Sequence, residues 1–166
     1  IEIFRFSIRF GIGDIFYTKR QIRQRLNIPV LGLWYQLDNH HDGEEELQTS
    51  LAVQSVMNQD VIFVDIINGN YAEQFYEQYT SIFSSKENGS LQTISYPIIR
   101  QEEYDKLENA NVILVIPFGV PCANQAEDIV CELQRRNCHI AGAVLTNCNY
   151  KWVKAYYNKF STVRGK

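Results

Sequence analysis

No run of apolar residues in this 166-residue chain is long enough to cross a bilayer, and no signal-peptide pattern is present. Methionine is almost missing. Met57 is the only one, so residue 1 is not a translation start and a segment upstream is expected. The four cysteines, Cys122, Cys131, Cys138 and Cys148, form no C-x-x-C and no paired metal spacing. A zinc set drawn from Cys131, Cys138 and His139 is weaker than the plain reading of reduced, partly buried thiols. There is no internal repeat and no low-complexity segment. No Ser–His–Asp or Cys–His arrangement can be argued from spacing.

What is present is unevenly placed. Residues 1–28 carry six basic residues against Glu2 and Asp14, and residues 148–166 carry five basic residues and no acid. The formal net charge is −3, so the middle of the chain is strongly acidic. That balance excludes general nucleic-acid binding, which needs a broad basic surface. A basic start is the pattern of the cytoplasmic flank of a membrane helix, and equally of a solvated helix face. The opening "IEIFRFSIRF" alternates apolar residues with Glu2, Arg5 and Arg9. It reads as a strand or as the last turns of a helix leaving a bilayer.

With 45% hydrophobic and 13% aromatic residues, the chain can bury one core. "TKRQIRQRLN" predicts a short helix with Thr18 as N-cap and Gln21 closing a capping box. "IPVLGLWY" is an apolar strand. "NHHDGEEELQTSLAVQSVMNQ" gives a loop and a helix on which Leu47 and Leu51, with Val53 and Val56, are expected to share a face. "VIFVDII" is a strand and "YAEQFYEQYTSIF" a helix with Phe75, Tyr79 and Ile82 on one stripe. After the turn-rich "SSKENGS" come a strand in "LQTISYPII", a helix in "RQEEYDKLENA" and the most continuous apolar strand, "VILVIPFG". "CANQAEDIVCELQRRN" is an amphipathic helix, "HIAGAVLTN" a strand and "YKWVKAYYNKF" a last helix. Strands apolar on both faces, alternating with helices, predict an α/β fold: one Rossmann-like three-layer domain with a mostly parallel sheet of about five strands.

The junction "DVIFVDIINGNYAEQFYEQY" raises the question of function. Strand-to-helix turns of this kind cradle phosphate when long and glycine-rich. A Walker A loop needs about eight residues, a Lys for the terminal oxygens and a Ser/Thr for Mg²⁺. Here only Ile67, Asn68, Gly69 and Asn70 separate the strand from a helix starting at Tyr71. Asp65 ends the strand, where function concentrates in open α/β sheets, but capping the next helix or bonding to the 68–70 turn is the favoured reading.

"TKRQIRQRLNIPVLGLW", "EELQTSL", "ISYPII" and "NANVILVIPFGVPCANQAEDIVCELQRRNCHIAGAVLTN" together resemble the cytoplasmic domains of bacterial polysaccharide chain-length determinants and their P-loop tyrosine kinases. The similarity spans roughly residues 14–150 and lies in the order and spacing of segments. It implies a membrane-proximal segment at 1–17 and a kinase-like domain at 18–166. It also implies self-association, contacts with other polysaccharide synthesis and export proteins, and a place at the cytoplasmic face of the inner membrane.

The departures from that pattern predict a non-catalytic domain without cofactor or metal. Asn68, Gly69, Asn70 and Tyr71 hold a degenerate phosphate-loop position. Ser95 stands where the family has the Asp of an Asp-x-Pro strand, and Pro97 follows it. Gln48 and Leu51 replace the arginines of the ring-assembly helix. Phosphoryl transfer depends on positioning and on charge neutralisation by Lys and Mg²⁺, so loss of these parts removes the reaction. The resemblance also makes Tyr150, Tyr156 and Tyr157 phosphotyrosine candidates, although aromatics at helical spacing more often pack on a core. Asp65, Ser95 and Pro97 are the cleft residues of the alternative, a small nucleotide-binding protein or enzyme with its ligand at the strand carboxyl ends. His40 and His41, beside Asp38 and Asp42, read as a solvated loop, and His139 as a residue that caps or packs.

Overall fold

The computed structural model describes residues 13–36, 44–56, 60–82, 92–94 and 101–161. In chain order these form α1 (Lys19–Leu26), β1 (Val30–Tyr35), α2 (Glu44–Val56), β2 (Val61–Asp65), α3 (Tyr71–Ile82) and β3 (Gln92–Ile94). There follow α4 (Gln101–Glu108), β4 (Asn111–Pro117), α5 (Ala123–Arg135), β5 (His139–Cys148) and α6 (Tyr150–Ser161). The sheet runs β1-β5-β4-β2-β3 with every pairing parallel. Four strands make its body, and β3 adds three residues at one edge.

The continuous apolar runs of β2 and β4 are covered on both faces. Ile62 and Val64 of β2 and Val112, Leu114 and Ile116 of β4 point into one core. Val61 and Phe63, with Ile113 and Val115, point into the other. The first core is closed by Ile22 and Leu26 of α1, Leu107 of α4, Ala126, Val130 and Leu133 of α5, and Val153 of α6. The second is closed by Val53 of α2 and by Ala72, Phe75 and Tyr79 of α3. The period-2 alternation of each strand thus sorts its residues between two helical layers, and the result is a three-layer α/β/α domain.

Helix boundaries follow local chemistry where the sequence supplies it. Thr18 Oγ1 accepts the Gln21 N–H while the Gln21 side chain accepts the Thr18 N–H, so the expected capping box is formed. Asn27 ends α1 in the left-handed conformation, one that Asn tolerates better than most residues. Cys122 precedes α5 rather than lying within it.

One expectation fails on α2. Leu47 and Leu51 are 49% and 56% exposed, while Glu46, Thr49, Ser50 and Val53 face inward. The cause is close approach. A Cβ on Gly32 of β1 would collide with Thr49 Oγ1, so only a bare glycine lets α2 sit this near the sheet. Thr49 Oγ1 then donates to the Leu33 carbonyl at 2.9 Å and, back along its own helix, lies 2.7 Å from the Glu45 carbonyl. Leucines would not fit there. Among the described residues no helix is long and apolar enough to cross a membrane.

Candidate functional site

Strand order sets where a ligand site would lie. From β1 to β2 to β3 the chain moves towards one edge with α2 and α3 on one face. From β3 to β4 to β5 it returns with α4 and α5 on the other, as right-handed crossovers require. The connections leaving β2 and β4 therefore diverge to opposite faces. The crevice beyond the carboxyl ends of these two neighbours is the topological switch point, where open α/β sheets bind ligands. The helix N-termini of α3 and α5 border it.

At the first terminus, β2 ends on Asp65 and α3 begins at Tyr71, so the connecting turn is as short as the sequence predicts. Asn70 takes a left-handed φ of 54° and leads the chain into the helix. Asp65 is 1% exposed, and its Oδ1 accepts the Ala72 N–H at 2.7 Å. Burial pushes its carboxyl up to about 6, while the backbone N–H groups of Ala72 and Tyr71 pull it down and Glu73 adds a further upward push. Asp65 is thus a helix cap, the second of its two sequence readings. Its carboxylate stands where a bound phosphate would stand. Asn68, Gly69 and Asn70 are exposed and Tyr71 is half-buried, its ring folded back towards Gly69.

At the second terminus the capping group comes from far away. The Asp14 carbonyl accepts the N–H groups of Cys122 and Ala123 at 2.8 and 2.9 Å. Asp14 Oδ1 accepts the Asn124 N–H at 2.8 Å. Ile15 bridges Pro121, and the Phe16 carbonyl accepts the Gly119 N–H at 3.1 Å. Gly119 has φ +72°, which turns the chain between β4 and α5 at little cost for glycine. Phe16 is itself 1% exposed and belongs to the first core. Residues 14–17 therefore strap the β4–α5 loop and accept the N–H groups of Gly119, Cys122, Ala123 and Asn124.

Burial pushes the thiols of Cys122 and Cys148 up to about 12, so neither is a ready nucleophile at neutral pH. Cys138 is pushed in the same direction, again chiefly by burial. His139 begins β5, and its Nδ1 lies 2.7 Å from Asn111 Oδ1 at the opposite end of the strands. Among the described residues no group of three His, Cys, Asp or Glu side chains could hold a metal ion. A hollow of about 270 Å³ beside the strap is lined by Gly13, Ile15, Phe16, Gln21, Gln24 and Arg25. It is below the roughly 300–1,000 Å³ usual for small-molecule sites. Its one cation, Arg25, bonds Glu127 and Asn124 instead.

Of the residues singled out in the sequence, Asp65, Asn68, Gly69, Asn70 and Tyr71 are brought together at one junction. Ser95, Pro97, His40 and His41 lie outside the described residues. Tyr150 packs edge-on against Tyr35, with ring centroids 5.5 Å apart, at the carboxyl ends of β1 and β5. Tyr156 and Tyr157 fall on the same helix, α6, with side chains outside the described part. Asp14 belongs to the second junction and carries no signal of that role in the sequence. It lies 110 residues from Asn124, and no local pattern signals such a pairing. Comparison with family models, curated proteins and solved structures gives no match for this chain.

Proposed function

We propose that the chain is a non-catalytic, kinase-derived α/β domain of the chain-length-determinant type. It takes part in surface polysaccharide biosynthesis or export by touching other proteins: its own copies, a separate kinase or the synthesis machinery. Its place would be the cytoplasmic face of a bacterial inner membrane. The polysaccharide setting and the location rest on the segment order quoted above.

The non-catalytic part rests on one observation. Both helix N-termini at the switch point are already capped by the chain's own acidic residues, Asp65 at α3 and Asp14 at α5. A triphosphate arriving there would meet N–H groups of Ala72, Cys122, Ala123 and Asn124 that are already bonded and, at neutral pH, like charge. No lysine stands in the β2–α3 turn to offset that repulsion. Isothermal titration with ATP, ADP and Mg²⁺ tests the reading, and no saturable heat is the expected result.

The second reading, a nucleotide binder or small enzyme, draws on Asp65 alone, a titratable group with a raised pKa at a switch point. It requires the saturable heat that the first reading excludes.

A further inference from the structure

The described cations divide into two sets. Lys19, Arg25, Arg135 and Arg136 each pair with a carboxylate. Arg20 and Arg23 of α1 and Lys151 and Lys154 of α6 are exposed, and none of the four meets an acid among the described residues. Neither helix has an acidic residue in its sequence. Arg20 and Lys151 stand in first turns, where the macrodipole favours acids, so helix stability does not account for them. The acids beside these elements are engaged: Asp14 bonds Asn124, Glu45 bonds Lys19 and Glu127 bonds Arg25. The fold brings the two basic helices together. Ile22 and Leu26 of α1 and Val153 of α6 enter the same core, which places both helices on one face of the sheet. Trp152 stacks on Tyr17, just ahead of α1, with centroids 4.6 Å apart and planes 22° from parallel, and Phe118 meets both rings edge-on. Among the described aromatic side chains Trp152 alone is exposed, at 43%.

We propose that α1 and the start of α6 form a docking surface for an anionic phospholipid bilayer, with Trp152 and Tyr17 in the headgroup layer and Arg20, Arg23, Lys151 and Lys154 against the lipid phosphates. Trp and Tyr set among long cationic side chains are the composition of a membrane-interface contact. An acidic protein surface would match the charges. The Trp152–Tyr17 pair, apolar rings with polar tips, matches the boundary between headgroup and acyl chain as well. The surface deepens the membrane-face reading proposed above and rests on it for the choice of partner.

The test is sedimentation of the full chain with vesicles of phosphatidylcholine alone and of an equimolar mixture with phosphatidylglycerol, alongside tryptophan emission. The chain is expected to sediment with the mixed vesicles only, and to be released as salt approaches about 1 M. Trp34 is 2% exposed, so a blue shift on binding reports Trp152 and is expected to vanish in Trp152→Phe. Arg20→Gln, Arg23→Gln, Lys151→Gln and Lys154→Gln should each weaken binding about fivefold, and the four together should abolish it. Lys106→Gln removes an exposed cation on α4, which meets α5 at Arg136, the end away from the strap, and should bind as the wild type does. All five positions are exposed, so the fold is not at stake. No sedimentation with the mixed vesicles would overturn the proposal, while a membrane-face location held by protein contacts would survive it. Sedimentation that the fourfold variant keeps, or an equal loss with Lys106→Gln, would also overturn it. A blue shift given by polyglutamate and not by vesicles would assign the surface to an acidic protein instead.

Discussion

The two junctions at the switch point, β2 to α3 and β4 to α5, meet the same requirement with partners at very different sequence distances. Each begins a helix whose first N–H groups need acceptors. At α3 the acceptor is Asp65, seven residues before the Ala72 it caps. At α5 it is Asp14, whose backbone and side chain reach Cys122, Ala123 and Asn124 from the other end of the chain. A local cap is formed as soon as the turn is formed. A remote cap depends on the strap being docked, so the second junction inherits the stability of Phe16 and its neighbours.

The largest expected effect separates the two directly. Phe16→Ala removes a 1%-exposed aromatic from the core and should cost about 3–5 kcal/mol. Amide exchange in that variant should rise at residues 118–124 and leave Tyr71 and Ala72 protected. Equal deprotection at both junctions would break the distinction.

Next comes pH. The folded state holds the Asp65 proton more tightly than the unfolded chain does, because its carboxyl rises from 3.8 to about 6. The stability from this group is therefore complete below pH 3.8 and is lost as pH rises through 6, by about 3 kcal/mol at pH 7. Asp65→Asn keeps an acceptor for the Ala72 N–H and removes the titration. Urea melts of the two proteins should differ by a slope between pH 4 and 7 that only the wild type shows.

The smallest effect is at the remote cap. Asp14→Ala deletes the Asn124 bond but keeps the backbone acceptor for Cys122 and Ala123, so a loss of about 1 kcal/mol is expected in thermal melts. Asp14→Asn should restore most of it.

The same contrast explains what the sequence makes legible. The capping box at Thr18 and Gln21 and the start of α3 at Tyr71 follow from residues within a few positions of each other. Strands β2 and β4 are legible because apolar residues on both faces leave few alternatives. Leu47 and Leu51 face outward against expectation because apolar spacing on α2 reports a face, whereas the packing partner decides which face turns in. That partner, Gly32, lies 17 residues from Thr49 and carries no signal of its own beyond being a glycine in a strand. The strand order that creates the switch point, and the strap that closes it, arise from contacts across most of the chain. Asp65 was ambiguous in sequence for another reason: a cap and a catalytic carboxylate look alike until the N–H that meets them is seen.

Beyond β2 and β4, the N–H groups of Tyr71, Ala72, Gly119, Cys122, Ala123 and Asn124 already belong to Asp65 and to residues 14–16. Amide NMR of the folded chain titrated with Mg·ATP reads those donors at the resonances of Tyr71, Ala72, Gly119, Cys122, Ala123 and Asn124. All six should hold their positions to millimolar nucleotide. Saturable shifts confined to either helix N-terminus would mean that a phosphate has displaced the carboxylate and that these donors are open to ligand.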